Sequence, residues 1–247
     1  TYNNTGIMPY SGYEELAQLI LNADSTYQGA ISFVNYSEGI YVGYKFYETA
    51  AEEGLIEYDS MVQYPFGYGL SYTTFEKKIT GFSETADNIT MTVEVTNTGR
   101  YAGQDIAQVY YTPPYTNGGI EKASVNLIDF EKTDVLVPNQ SESITFTIEK
   151  EKLASYDENG IKLPNGGYVL EAGEYTLSLR SDSHTVCDSR SITVGDDILY
   201  SEASNKLQDT SRGEFIQLSR ANHFANYEAA TATPTDDARE LTQALYD

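Results

Sequence analysis

From Tyr72 onward the chain alternates apolar and polar residues in short runs. The clearest is Ile89-Thr-Met-Thr-Val-Glu-Val-Thr96, where every second residue is apolar and Asn97-Thr98-Gly99 follows with turn chemistry. Comparable runs lie at Ile106–Thr112, Asn126–Val137, Ser143–Lys150, Glu174–Ser181 and Arg190–Val194, with a first one near Glu76–Ser83. Pro113-Pro114, Pro138-Asn139 and Glu171-Ala172-Gly173 mark connections between them. Period-two patterning predicts strands with one face in a core and one in water. Seven of them is the number expected of an immunoglobulin-like β-sandwich, so the expected fold class is mainly β.

The flanks follow other patterns. Tyr13–Asn22 places Leu16, Leu19 and Ile20 at helical spacing, with Ser11 as N-cap and Glu14 completing a capping box. Gly39–Ala51 predicts a second helix from Val42 onward, stopped at Glu52-Glu53-Gly54. Together they are too small to enclose a core, so residues 1 to about 60 are expected to be the tail of a domain whose body lies elsewhere. After Val194 the alternation stops; residues 196–247 are polar and read as a linker, with one more helix at Asp236–Leu245. Scattered apolar residues there cannot offset an ordering entropy of about 1–2 kcal/mol per residue. Both flanks are therefore expected to be ordered by something outside the sandwich, and limited proteolysis to leave a core near residues 70–195.

A formal net charge of −22 over 247 residues repels nucleic acid and anionic membrane surfaces, leaving neutral partners such as carbohydrate. Twenty-two tyrosines and no tryptophan suit carbohydrate contacts and aromatic-rich strands equally. One cysteine, Cys187, excludes an intrachain disulfide and is expected to act as a small apolar residue on or beside a strand. His184 and His223 are the only histidines, so no metal-binding spacing exists and no cofactor is expected. No apolar run approaches the roughly 20 residues of a membrane span. The chain is expected to be soluble, cytoplasmic or secreted, with Thr1 an internal or processed start. Four glycosylation sequons, at Asn3, Asn35, Asn88 and Asn139, are short enough to arise by chance.

The string Tyr64-Pro-Phe-Gly-Tyr-Gly-Leu-Ser-Tyr-Thr-Thr-Phe75 closely resembles the start of the C-terminal domain of glycoside hydrolase family 3. Upstream, Tyr36-Ser-Glu-Gly-Ile-Tyr-Val-Gly-Tyr-Lys-Phe-Tyr47 resembles the segment that closes the family's α/β sandwich domain, where arginine is more usual at the position of Lys45. Val93–Gly99, Gly103–Tyr110, Asp129–Lys132 and Ala172–Leu177 are similar to successive strands of its fibronectin type III-like domain. The resemblance covers about residues 31–195 and divides the chain at 1–63, 64–195 and 196–247. Gln217–Tyr227 with Ala232-Thr-Pro-Thr235 resembles the approach to the catalytic barrel in members with rearranged domain order.

Such members cleave terminal β-linked sugars by the retaining route, with one carboxylate as nucleophile and a second carboxyl group as acid/base. The resemblance places the nucleophile in a barrel domain and the acid/base in the α/β domain upstream of this stretch. Neither motif is present here, so the chain is expected to be an inactive accessory portion of a retaining β-glucosidase. Its partners would be the remaining catalytic domains, in the same or a second chain, and the β-glucoside or oligosaccharide substrate. Glu52-Glu53 and Asp236-Asp237 are expected to be solvated surface charge, since adjacent residues point apart. Glu38, Tyr44 and Lys45 are the candidate substrate contacts, although Tyr41, Tyr44 and Tyr47 recur at three-residue spacing, as a packing stripe does. Phe66, Tyr68 and Leu70 are expected to pack between domains, with Phe66, Tyr68 and Phe75 enclosed. The rival reading is a stand-alone carbohydrate-binding or adhesive β-sandwich, recognisable by an exposed aromatic row. A third is a structural remnant without ligand.

Overall fold

The computed structural model describes residues 3–4, 34–35, 37–200 and 216–232. The helices expected at Tyr13–Asn22 and Asp236–Leu245 lie outside them. The chain divides into two compact units, one of residues 40–207 and 220–224, the other of 1–39, 208–219 and 225–247.

The larger unit is an antiparallel sandwich. β3 (Phe75–Glu84), β4 (Asn88–Asn97) and β7 (Ser141–Glu149) form one sheet in the order β3-β4-β7. β5 (Ile106–Thr112), β6 (Asn126–Lys132), β10 (Gly173–Arg180) and β11 (Val186–Val194) form the other, in the order β11-β10-β5-β6. β4 is the centre of its sheet, and its inward residues Ile89, Met91, Val93 and Val95 are fully buried. They share a core with Ile144, Phe146 and Ile148 of β7, Ala107 and Val109 of β5, and Tyr175, Leu177 and Leu179 of β10. The seven strands of the sequence pattern are these seven; β6 ends at Lys132, short of the expected Val137.

Three features depart from the period-two pattern. β5 and β10 are buried on both faces: Gln108, Tyr110, Ser178 and Arg180, at the outward positions, lie beneath other parts of the chain. The cover comes from α1 (Tyr44–Glu52), α2 (Tyr58–Met61) and the stretch after them. Tyr44 meets Tyr110 edge-on at 6.1 Å, and the Ser183 amide donates to the Phe66 carbonyl at 2.8 Å. A small third sheet joins β8 (Ser155–Tyr156), β9 (Tyr168–Leu170) and β12 (Ile198–Tyr200), so one strand follows Val194, where the alternation had ended. Lys162 fixes it by pairing with Asp197 at 2.5 Å and Glu171 at 2.9 Å.

The third departure is Ala221–Phe224, in which Asn222, His223 and Phe224 turn left-handed at φ 53°, 60° and 57°. Each such residue costs about 1–3 kcal/mol unless its surroundings fix it. Here they do. Phe224 is buried against Tyr41 and Phe46, and Asn222 and Asn117 exchange hydrogen bonds at 2.7 and 2.8 Å.

In the smaller unit, β1 (Asn3–Asn4) pairs with β2 (Val34–Asn35), and the Leu218 amide donates to the Ser37 carbonyl at 2.6 Å. A short helix, α3 (Tyr227–Thr231), follows Asn226, whose side chain bonds Gln217 and Ser219. Among the described residues no helix is long and apolar enough to cross a membrane.

Candidate functional site

Tyr44 and Lys45 open α1 on the sandwich unit, while Glu38 sits half-buried in a turn of the smaller unit. Tyr44 is engaged in packing. Its ring stacks on Phe66 at 4.7 Å, and its hydroxyl accepts a hydrogen bond from the Leu127 amide at 2.9 Å. Burial raises its pKa, keeping it a neutral phenol. Lys45 differs: its half-buried ammonium has no hydrogen-bond or ion-pair partner among the described residues, and burial lowers its pKa. Of the tyrosine stripe, Tyr41 is buried and donates to Glu121 at 2.5 Å, so packing accounts for that position.

The carboxylates of α1 are used as anchors. Glu48, almost wholly buried, accepts from Tyr58 and Ser183 at 2.7 Å each and meets His184 Nδ1 at 2.9 Å. The His184 ring stacks on Tyr58 at 3.8 Å, so this cluster ties both helices to the β10–β11 turn. Glu53 corrects the expectation of solvated charge. Its side chain is only 12% exposed, bonding Arg220 at 2.5 Å and His223 at 2.6 Å. Glu52 is half-exposed and reaches Arg220 at 3.0 Å. The reason is the distant Arg220, a buried cation that also stacks on Tyr115 and draws Glu53 inward, while Glu52 reaches it from the surface.

A retaining glycosidase needs one carboxyl group with a raised pKa, facing a second across about 5 Å. The carboxylates that shift here shift downward. Burial opposes ionisation of Asp157, but amides from Leu163, Lys162, Ile161 and Gly160 outweigh it. Asp188 is likewise opposed by burial and pulled down by the Ile79 amide and Arg190, and Asp197 is lowered chiefly by Lys162. These are structural acceptors, not proton donors. Among the described residues no cluster of three or more His, Cys, Asp or Glu side chains is placed to hold a metal. Cys187 lies on a strand, β11, as expected, and is exposed.

The lead-in to the sandwich departs furthest from expectation. Phe66 and Tyr68 are exposed rather than enclosed, Leu70 and Tyr72 are 89% and 97% exposed, and only Phe75 packs on the core. The backbone is nevertheless fixed. Gly67 adopts φ 83° and lies so close to the Gln108 amide that a Cβ there would collide with it. Phe66, Tyr68 and Leu70 were expected to pack between domains, whereas Tyr72 was not singled out.

The comparisons with known proteins agree with this geometry. The fibronectin type III-like domain family matches residues 105–183. A β-glucosidase of Ruminococcus albus is 34% identical over 203 residues, which is 82% of this chain and 20% of that protein. The solved structure of β-glucosidase 3B from Thermotoga neapolitana with glucose aligns at TM-score 0.59 and 32% identity, covering 71% of this chain and 22% of that one. The β-glucosidase of Kluyveromyces marxianus with glucose aligns at 0.58 and 32%, covering 68% and 19%. The chain thus spans about a fifth of the length of the relatives it matches.

Proposed function

Because this chain carries the fibronectin type III-like domain of the β-glucosidases of glycoside hydrolase family 3, we propose that it is the accessory portion of an enzyme that hydrolyses terminal non-reducing β-D-glucosyl residues. Catalysis would belong to the rest of that enzyme, in the same polypeptide or a second chain. The observation that carries this reading is the use of the buried carboxylates among the described residues: Glu48, Asp157, Glu171 and Asp182, with the largely buried Glu53, are all held by structural partners. The domain boundaries 1–63, 64–195 and 196–247, with a barrel following the last, are part of the same proposal. So is a border role for Glu38, Tyr44 and Lys45 at the sugar site. Of these Lys45 has most to offer, since a cation without a carboxylate partner retains donors for a sugar hydroxyl.

The assembled protein, this chain together with the remaining domains in the same polypeptide or as a second chain, tests the proposal. It should release glucose from an aryl β-D-glucoside with retention at the anomeric carbon, and Lys45→Ala should raise KM without moving the melting midpoint. Binding of oligosaccharide without hydrolysis would favour a carbohydrate-binding module instead. Exposed tyrosines at 64, 68 and 72 are the observation on that rival's side.

A further inference from the structure

We propose that Tyr156, Tyr168 and Tyr200 form a surface that binds a soluble β-linked gluco-oligosaccharide without cleaving it; the β-gluco part rests on the accessory reading above. The three tyrosines stand in register on the small third sheet. Tyr156 of β8 lies opposite Tyr168 of β9, and Tyr168 lies opposite Tyr200 of β12. Directly opposed residues share a face of a sheet, so the register builds one row of rings, with about 4.8 Å between strands. The support is fixed. Asp157, next to Tyr156, accepts from the Ile161, Lys162 and Leu163 amides at 2.9, 2.6 and 2.8 Å, and its own amide donates to the Gly167 carbonyl at 2.6 Å, one residue before Tyr168. Lys162 pairs with Asp197 at the start of β12. Leu170, on the same face as Tyr168, is fully buried in the core, and Tyr200 packs at that core's margin. Tyr168, the middle ring, is nevertheless 52% exposed. Packing alone would enclose it, whereas a preordered ring open to water is what a stacking ligand needs.

The occupant follows from size, charge and chemistry. Strands of 2, 3 and 3 residues offer a face far smaller than the roughly 1,000 Å² of a stable protein interface. A net charge of −22 turns away anions. Each ring carries a hydroxyl at its tip, so apolar faces and polar tips alternate along the row. A sugar matches this, since its C–H face stacks on a ring while its hydroxyls find donors and acceptors. Burial, with the charges of Glu151 and Asp87 nearby, raises the Tyr200 pKa and keeps that phenol a donor. Both carboxylates are exposed, and they add acceptors at that end of the row. The rings of Tyr156 and Tyr168 meet at 76° with centroids 5.1 Å apart, so the row is stepped rather than flat. A soluble oligosaccharide follows a step by turning about its glycosidic bonds; a crystalline face does not. The strand spacing is also close to the length of one glucose residue in an extended β-linked chain, so successive tyrosines meet successive sugars.

Calorimetric titration of cellotetraose into the purified chain tests the surface. Binding should be saturable, and Tyr168→Ala should weaken it by about tenfold, the loss of one ring stack. Tyr168→Phe, which keeps the ring, should retain most of the affinity. Melting midpoints are recorded beside each titration. Should Tyr168→Ala lower the midpoint, Tyr168→Leu, which keeps the apolar bulk and removes the ring face, carries the same expectation. Absence of saturable binding overturns the surface, as does an unchanged dissociation constant in the folded Tyr168 variants. Equal affinity for maltotetraose keeps the surface and overturns its β-gluco preference. Hydrolysis is read separately on the assembled protein: an active enzyme whose chain fails to bind cellotetraose through Tyr168 sinks only this surface, whereas absent hydrolysis sinks the accessory reading.

Discussion

Asn97 uses all of its hydrogen-bonding capacity inside the sandwich. Its Oδ1 accepts from Thr73 Oγ1 at 2.7 Å and the Gly99 amide at 3.0 Å, and its Nδ2 donates to the Tyr101 and Leu136 carbonyls at 2.7 and 2.8 Å. Asn97→Leu would strand these groups in a buried site, and should lower the unfolding free energy in urea by about 2–4 kcal/mol. Gly99→Ala should be comparably damaging, because its Cβ would stand 2.6 Å from the Thr74 amide nitrogen. Asp157 carries a pH signature. Its folded pKa lies below the ordinary 3.8, so its contribution is present above that value and is lost as pH falls through the folded pKa. Asp157→Asn should therefore flatten the acid limb of a stability profile below about pH 4. The turn at Asn97-Thr98-Gly99 was legible because its chemistry is local. That it grips Thr73, 24 residues earlier, was not, since a hydroxyl gives no pattern that names its partner.

Among the elements, all seven sandwich strands were legible, but the burial of β5 and β10 on both faces was not. β4 shows its alternation openly, whereas in β10 Ser178 and Arg180 are polar at positions that the cover over the sheet buries. The same cover corrects the expected enclosure of Phe66: its ring meets Tyr44 but remains half-exposed. Phe66→Ala should therefore cost about 1 kcal/mol, a ring stack's worth, rather than the roughly 3–5 kcal/mol of a core aromatic. Arg220 is the opposite case, a polar residue in a stretch read as linker that proves to be an anchor. Arg220→Met would leave Glu53 largely buried without its cation and should lower stability by about 3 kcal/mol, measured by denaturant unfolding. Restoring neutrality with Glu53→Gln in the same chain should recover part of that loss.

For the chain taken whole, the expectation for Glu38, Tyr44 and Lys45 rested on a family resemblance alone, because no local pattern in the sequence marks a sugar contact. The expected protease-resistant core near residues 70–195 also changes. Tyr41 and α1 are anchored through Glu121, Glu48 and Ser124, so the resistant fragment should begin close to Tyr41, as peptide mass mapping would show. On the proposed reading, this chain supports a β-glucosidase without performing its chemistry. The direct measurement is hydrolysis of an aryl β-D-glucoside by the purified chain alone, beside a complete β-glucosidase as positive control. No turnover above buffer is predicted for the isolated chain. Turnover that survives repurification, and disappears when a carboxylate of this chain is replaced by its amide, would contradict it.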